Sequence, residues 1–580
     1  MEAATQSPGD LAFDRRWWTL AVLCLSLLIV FVGNSSLNVA IPTLSRDLHA
    51  SQSQLQWVVA VYSLVFAGLL FSTGALGDRF GRKGALQLGL LLFLVGAALA
   101  SESTGMGQLI ACRAIMGVAG ALIMPSTLSI IINVFPAHER PKAIAIWASV
   151  TGAAGAFGPV ASGLLLGHFW YGSIFLINVP VIAVALIAGK FLVPKSRDPE
   201  ESQFDPVGAV LSIIGIVALV YGLIEAPDKG WMSVGTLAAF AVALVVLSLF
   251  VAWELHTPEP MLDMHFFRIP AFSTGTGGMI LVFVAMYGVM FLITQYFQEI
   301  LGYSPLSAAL RLMPIAAIMM VVAPLTPKLS ARFGAHRAVA FGMLLIGTGL
   351  FLLIGLTTHT PYAYVVMCLV PLTTGIALSM SPMTASIMSA VPPRRAGAGS
   401  AMNDATRELG AALGIAVLGS VAASRYASSV APALRGLTKA DQSSARTSIA
   451  GALHVASTLP TAAGQALASS ASHAFINGIH LAVVVGAILA VISAVIVYRN
   501  LPHSLVQSGA MHGTTEALEE VAAMGLGGVP PVFADVERDE ERALENDRRM
   551  HRERDRERDR ERDHERDHER DRNRDRERSA

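Results

Sequence analysis

Fourteen stretches of this chain are each long and apolar enough to span a bilayer, and no other feature limits the fold so tightly. A membrane-crossing helix needs about 20 mostly apolar residues. Runs of that kind lie at 17–41, 55–76, 84–101, 108–133, 143–167, 173–193, 206–225, 233–254, 271–297, 307–327, 338–358, 362–390, 399–422 and 475–499. The expected class is an all-α membrane protein with fourteen transmembrane helices. An even number places both termini on one side, and basic residues identify that side. One alternate set of connections, with Arg15 and Arg16, holds 16 Lys and Arg, whereas the opposite set holds six. The excess marks the cytoplasmic face, so both termini are expected in the cytoplasm and the protein in the cell (cytoplasmic) membrane. Arg15 and Arg16 before an apolar run also resemble a signal peptide, but the many spans that follow make this run a retained first helix.

Composition adds one point. Of the 84 charged residues among 580, 34 lie in the last 44 positions. The first 536 residues are therefore about 9% charged, far below the roughly 25% of a soluble domain. The tail "RERDRERDRERDHERDHERDRNRDRER" alternates in sign and has nothing to bury, so disorder or a transient solvated helix is expected. Its Asp and Glu cancel the field of its Arg, so no nucleic acid is expected as a partner. Cys24, Cys112 and Cys368 sit in apolar runs and read as small core residues. The Ala/Ser/Thr-rich segment 423–474 is consistent with either a surface helix or a mobile loop, on the external side.

Against this apolar background "GSAMNDATRELGAALG" (399–414) is conspicuous, because Asp404, Arg407 and Glu408 share one helix face. Three lipid-facing charges would cost about 8–10 kcal/mol together, so the face should turn toward a cavity. There Arg407 can neutralise one carboxylate and leave the other to take up a proton. Asp404 and Glu408 are the proton-coupling candidates, set against a solvated structural cluster near Arg394 and Arg395. Arg113, inside the fourth helix, faces the same cost of roughly 2.5–3.5 kcal/mol and needs a cavity or a partner.

The chain also repeats itself. "GALGDRFGRK" (74–83) and "PKLSARFGAH" (327–336) share L-x-x-R-F-G at the same connection of two six-helix groups. The expected organisation is 1–193 as an N-terminal six-helix half, 194–270 as an inserted two-helix linker, 271–499 as a C-terminal six-helix half and 500–580 as a cytoplasmic low-complexity tail. Repeats of this kind mark secondary transporters, with cargo handled between the halves.

On these residues the chain resembles the major facilitator superfamily. "GALGDRFGRK" is similar to its cytoplasmic signature, and "GAAGAFGPVASG" (152–163) to the fifth-helix motif of its antiporters. "NVAIPTLSRDL", "LQWVVAVYSLVFA", "FLINVP" and "QYFQEILGYSPLSAALRLMP" resemble its fourteen-helix multidrug:proton antiporter branch. The resemblance spans about 15–500. It implies the major facilitator fold, two six-helix bundles plus two inserted helices.

Roles follow from the residues together with that resemblance. Gly74, Gly77 and Gly81 permit a tight turn, and Asp78 is a rim carboxylate able to meet a helix N-terminus. The resemblance implies a conformational latch there, with Arg79, Arg82 and Lys83 pairing with Asp78 or with lipid phosphates. A purely topogenic basic loop is the alternative. Gly155, Pro159 and Gly163 fall on one line of the fifth helix beside Gly158, which suits close helix packing or a seam between the halves. For Arg113 the resemblance implies proton coupling, although Met116 stands where the family often has Gln. Many relatives carry an Asp early in the first helix, where this chain has Gly33. A neutral, zwitterionic or anionic cargo then gains weight. Asn34, Asn38, Tyr287, Phe291 and Gln295 are the substrate-cavity candidates.

No GxxxxGK[ST], HExxH or paired CxxC pattern occurs, so neither an ATP-driven pump, nor a metal site, nor an enzyme is indicated. The expected function is proton-coupled export of small amphipathic compounds, with small-molecule substrates, protons and the bilayer as partners. No cofactor is expected beyond the proton gradient as energy source, and no obligate protein partner. The alternatives are a dedicated exporter of one metabolite, lipid or siderophore, and a non-transporting sensor or scaffold that uses the tail.

Overall fold

A computed structural model describes residues 15–501 except 137–138, 195–204, 258–259, 261 and 392–395. Within that range the side chains of 71, 75, 78–80, 140–141, 144–145, 148–149, 151–153, 155–156 and 396–398 also lie outside the description. The tail from 502 and the basic pairs Lys195/Arg197 and Arg394/Arg395 therefore lie outside it as well.

The described residues form helices at all fourteen expected places. They are α1 (Arg16–Asp47), α2 (Gln52–Phe80), α3 (Arg82–Ser101), α4 (Met106–Val134), α5 (Arg140–Leu166), α6 (Ser173–Leu192) and α7 (Pro206–Lys229). After these come α8 (Val234–His256), α9 (Pro270–Gln295), α10 (Pro305–Phe333), α11 (Ala335–Leu352), α12 (Tyr362–Ser389), α13 (Ala396–Val430) and α14 (Thr461–Asn500). Thirteen of them qualify as candidate membrane spans among the described residues, and α5, at 27 residues, runs through the remaining place. The chain is a multi-pass, all-helical membrane protein.

Local chemistry sets many of the boundaries. Ser51 and Gln54 form a reciprocal capping box at the start of α2. Gly81 ends α2 and begins α3 at φ 117°, a backbone region that penalises any side chain. Gly334, its counterpart in the second L-x-x-R-F-G copy, joins α10 to α11 at φ 86°. Each glycine donates its N–H four residues back, to Gly77 O and Ser330 O, both at 2.9 Å. The sequence repeat is thus also a backbone repeat. Prolines 314, 324 and 327 break α10 into short pieces, since each removes a donor from the ladder. A single π-turn, Tyr296–Ile300, follows α9.

Segment 423–474 is helical throughout most of its length. α13 continues to Val430, α14 starts at Thr461, and two short connecting helices, Lys439–Thr447 and Ile449–Thr458, lie between them. Tyr426 fixes this arrangement, donating its buried hydroxyl to Ala445 O at 2.7 Å and to Ser448 O at 3.1 Å.

Packing repeats along with the sequence. In the first six helices α1 lies on α5 and α6, α4 on α2 and α3, and α3 on α6. In the last six the same pattern recurs eight helices later: α9 on α13 and α14, α12 on α10 and α11, and α11 on α14. The two groups meet along α2–α13 and α5–α10, with α1 touching α9. α7 packs on α8 and lies against both α2 and α13. Val220 and Ile224 of α7 share one buried cluster with Ala60, Leu64, Ala412 and Ala416.

Candidate functional site

The α13 trio lies where α13 is pressed between α9 and α2. Small residues allow the approach: a Cβ at Gly410 would stand 2.7 Å from Ile280 O, and one at Gly414 2.5 Å from Val284 O. Arg407 Nη1 is 3.7 Å from Asp404 Oδ1, one helical turn away, and its guanidinium lies 5.2 Å from the centre of the Phe283 ring. At 3.7 Å the ion pair is loose. Asp404 and Arg407 are each partly covered, so neither projects freely into lipid. Glu408 faces Ser63 and Tyr62 of α2, Arg113 of α4 and Tyr287 of α9 as well as Arg407 and Asp404 of its own helix, and its Oε2 is buried with no hydrogen-bond partner. A carboxylate oxygen without a donor is costly in an apolar interior, and carrying its own proton removes that cost. The trio is therefore one coupled cluster: Asp404 and Arg407 form a loose ion pair, and Glu408 lies beside it with one carboxyl oxygen unpartnered.

Arg113 is fully buried and bonded through all three of its nitrogens. Its Nε donates to Val58 O at 3.1 Å, Nη1 to Gly33 O at 3.3 Å and Nη2 to Asn34 Oδ1 at 3.2 Å, and its guanidinium lies 4.4 Å over the Tyr62 ring. The guanidinium fork thereby ties α4 to α1 and α2 through neutral acceptors. Gly33 is part of the same construction, because a Cβ there would lie 3.0 Å from Phe93 Cζ. The space a first-helix carboxylate would need is filled by Phe93, and the Gly33 carbonyl serves Arg113.

Two basic residues of the 74–83 motif make bonds to neighbouring helices. Lys83 Nζ donates to Lys190 O at 2.7 Å and Val193 O at 2.6 Å, so it caps the C-terminus of α6, where a cation is favoured. Arg82 Nη1 reaches Ser129 O at 3.5 Å. Gly77 lies 3.5 Å from both Ala85 and Ser126 by the Cβ measure, and Gly74 3.6 Å from Pro125, which lets α2, α3 and α4 converge. The side chains of Asp78 and Arg79 lie outside the described residues.

On α5, Gly158 seats against Ser35 of α1 and accepts the Ser36 hydroxyl at 3.1 Å through its carbonyl. One turn on, a Cβ at Gly163 would lie 2.7 Å from Leu306 Cα, on α10 of the other group. The glycine line thus joins α5 to its own group at one turn and to the opposite group at the next, with Pro159 buried between them. Gly155 lies outside the described side chains.

The cavity candidates are dispersed. Asn34 belongs to the Arg113 network, and Asn38 Oδ1 is buried without a partner. Tyr287 stacks on Phe283 at 6.1 Å beside Glu408. Phe291 is wholly buried in the core, and Gln295 is closed onto its own helix by a 3.0 Å bond to Phe291 O. Tyr62 and Ser63 lie within the quoted "LQWVVAVYSLVFA" stretch, where nothing singles them out as site residues, and Phe93 reads as one more residue of an apolar run.

Comparison with known proteins agrees with this architecture. The family model of the Major Facilitator Superfamily matches residues 23–415. The multidrug efflux pump LfrA of Mycolicibacterium smegmatis is 38% identical over 485 residues, 83% of this chain and 96% of that protein. The multidrug resistance protein Stp of Mycobacterium tuberculosis is 33% identical over 417 residues, 72% of this chain and 78% of its own length. Among solved structures, an inward-facing, unoccupied bacterial homologue of the human lysosomal transporter Spinster superposes with a TM-score of 0.57 at 16% identity. That match covers 84% of this chain and 98% of that one, and at such identity it speaks for the fold alone.

Proposed function

The chain belongs to the Major Facilitator Superfamily as a transporter related to multidrug efflux pumps, not an enzyme, and on that premise we propose that it exports small amphipathic compounds in exchange for protons. The observation that carries this reading is Glu408, a carboxyl with an unpartnered oxygen buried where α13 of one six-helix group meets α2 of the other. In its protonated form it is neutral and tolerates that closed contact. Once ionised, it needs solvent or a donor, which favours separation of the two groups. Protonation thereby biases the alternation between two orientations, the differential interaction that any driven change requires. α1–α6 and α9–α14 are the halves that rock, α7 and α8 are an insert, and 500–580 is a tail. Both termini face the cytoplasm across the cytoplasmic membrane.

Arg113 and Asn34 hold α1, α2 and α4 together as one body, and Arg113 adds a fixed positive charge near Glu408. Asp404–Arg407 supplies a paired charge at the rim. The glycine line of α5 closes the seam against α10, while Gly81 and Gly334 are the hinges of matching turns. The test is ethidium flux in proteoliposomes under an imposed pH gradient. Glu408→Gln should abolish gradient-driven flux while ethidium binding persists. Undiminished gradient-driven flux in Glu408→Gln would refute the assignment.

A further inference from the structure

Far from Glu408, at the end of the bundle that carries segment 423–474, a cavity of about 680 Å³ opens between the end of α1, the π-turn after α9 and the two connecting helices. Arg46 lines it from the end of α1, His49 from the turn that follows, Glu299 from the π-turn, and Ser444, Ser448 and His454 from the connecting helices and the residue that caps the second of them. Three observations set it apart. Glu299 Oε1 is buried with no hydrogen-bond partner. The π-turn that delivers Glu299 is a form that recurs at functional positions. His49, at φ 49°, is the one described non-glycine residue with a left-handed backbone, and its ring lies 5.7 Å from that of His454 on the opposite wall.

The position of the cavity gives these features a purpose. Gln298, immediately before Glu299, donates from Nε2 to Val39 O at 2.9 Å and so joins α9 to α1 across the two helix groups. Cargo released through that seam would meet the Glu299 carboxylate next. We propose that this cavity is a second cargo site, an exit vestibule that takes an organic cation bearing N–H donors through Glu299. The proposal rests on the export reading above and names a substrate class for it. Position 33 of the first helix offers no counter-charge, since Gly33 is packed against Phe93, and Glu299 supplies one at the other end of the route. The hydroxyls of Ser444 and Ser448 and the two imidazoles complete a polar wall, and Arg46, the cation that faces Glu299 across the same cavity, is the group with which a bound organic cation would compete.

Ethidium, an aromatic cation with two amino groups, is the probe. Titrated into the purified full-length chain, it should occupy two classes of site. Glu299→Gln should weaken one class at least tenfold and leave the other intact. Ser444→Trp, which fills the cavity from the opposite wall, should remove the same class without lowering the melting temperature. Glu408→Gln should leave the Glu299-dependent class in place. A single class in the wild type, insensitive to both Glu299→Gln and Ser444→Trp, would overturn the proposal and leave a cavity that holds water only. Proton-driven flux that fails in liposomes while Glu299-dependent binding persists would fault the export reading instead and leave the site standing.

Discussion

Arg113 on α4 donates to Asn34 on α1 across 3.2 Å, at a depth where neither polar group has bulk water to fall back on. The same guanidinium satisfies the carbonyls of Gly33 and Val58, so one side chain fastens three helices. That relationship packs α1, α2 and α4 into one unit beside Glu408.

Arg113→Lys should fail to replace it. An ammonium keeps the charge but lacks the planar fork that reaches acceptors on two helices at once. The Gly33 and Val58 carbonyls keep their intrahelical bonds, but Asn34 Oδ1 would lose its donor, and a buried acceptor left unsatisfied costs about 1–3 kcal/mol. Thermal unfolding in detergent should show a clear drop in melting temperature, with Asn34→Leu giving a smaller one. Equal stability of Arg113→Lys and wild type would remove the fastening role.

Restoring the first-helix carboxylate should be harmful by itself. Gly33→Asp drives a side chain into Phe93, 3.0 Å from the new Cβ. Adding Phe93→Ala makes room, so the double variant should recover folded yield relative to Gly33→Asp alone. Size-exclusion profiles after detergent extraction read this directly. No recovery in the double variant would count against the packing explanation.

The two repeat turns make a matched pair of expectations. Gly81→Ala and Gly334→Ala each place a side chain at positive φ, which costs roughly 1–2 kcal/mol. Both should lower the melting temperature by similar amounts, because both turns use the same backbone conformation. A neutral effect at either position would mean that the turn relaxes.

Gly163→Val tests the α5–α10 seam. The new side chain meets the Leu306 backbone, which has no rotamer through which to yield. The expected result is a folded protein with strongly reduced flux, since only the arrangement that closes this seam is penalised. Retained flux would show that the seam does not close during transport.

Much of this was legible before any coordinates, for physical reasons. Fourteen apolar runs state where helices cross a membrane, and L-x-x-R-F-G marks a turn because its glycine position tolerates φ that other residues resist. The grouping of Asp404, Arg407 and Glu408 on one face follows from helical spacing alone. What stayed hidden depends on which way a helix is rotated. α9 is apolar on every side, so its pattern could not reveal that Phe291 turns into the core while Tyr287 turns toward Glu408. The partners of Arg113 are mainly backbone carbonyls, which every residue carries, and Lys83 reaches a helix end more than 100 residues away. Segment 423–474 is rich in residues that suit either a helix or a loop, and the Tyr426 hydroxyl bonds that settle it are long-range.

The most direct measurement compares Asp404→Asn and Glu408→Gln in liposomes that expose the cytoplasmic face outward, with an acidic lumen and external ethidium. Protons leaving the lumen should then drive dye inward. Glu408→Gln should abolish that accumulation and still bind the dye, whereas Asp404→Asn, which removes the loose ion pair beside Glu408 and leaves that carboxyl in place, should retain a substantial part of it. Accumulation abolished by Asp404→Asn and preserved in Glu408→Gln would contradict the account and move the coupling proton to the rim.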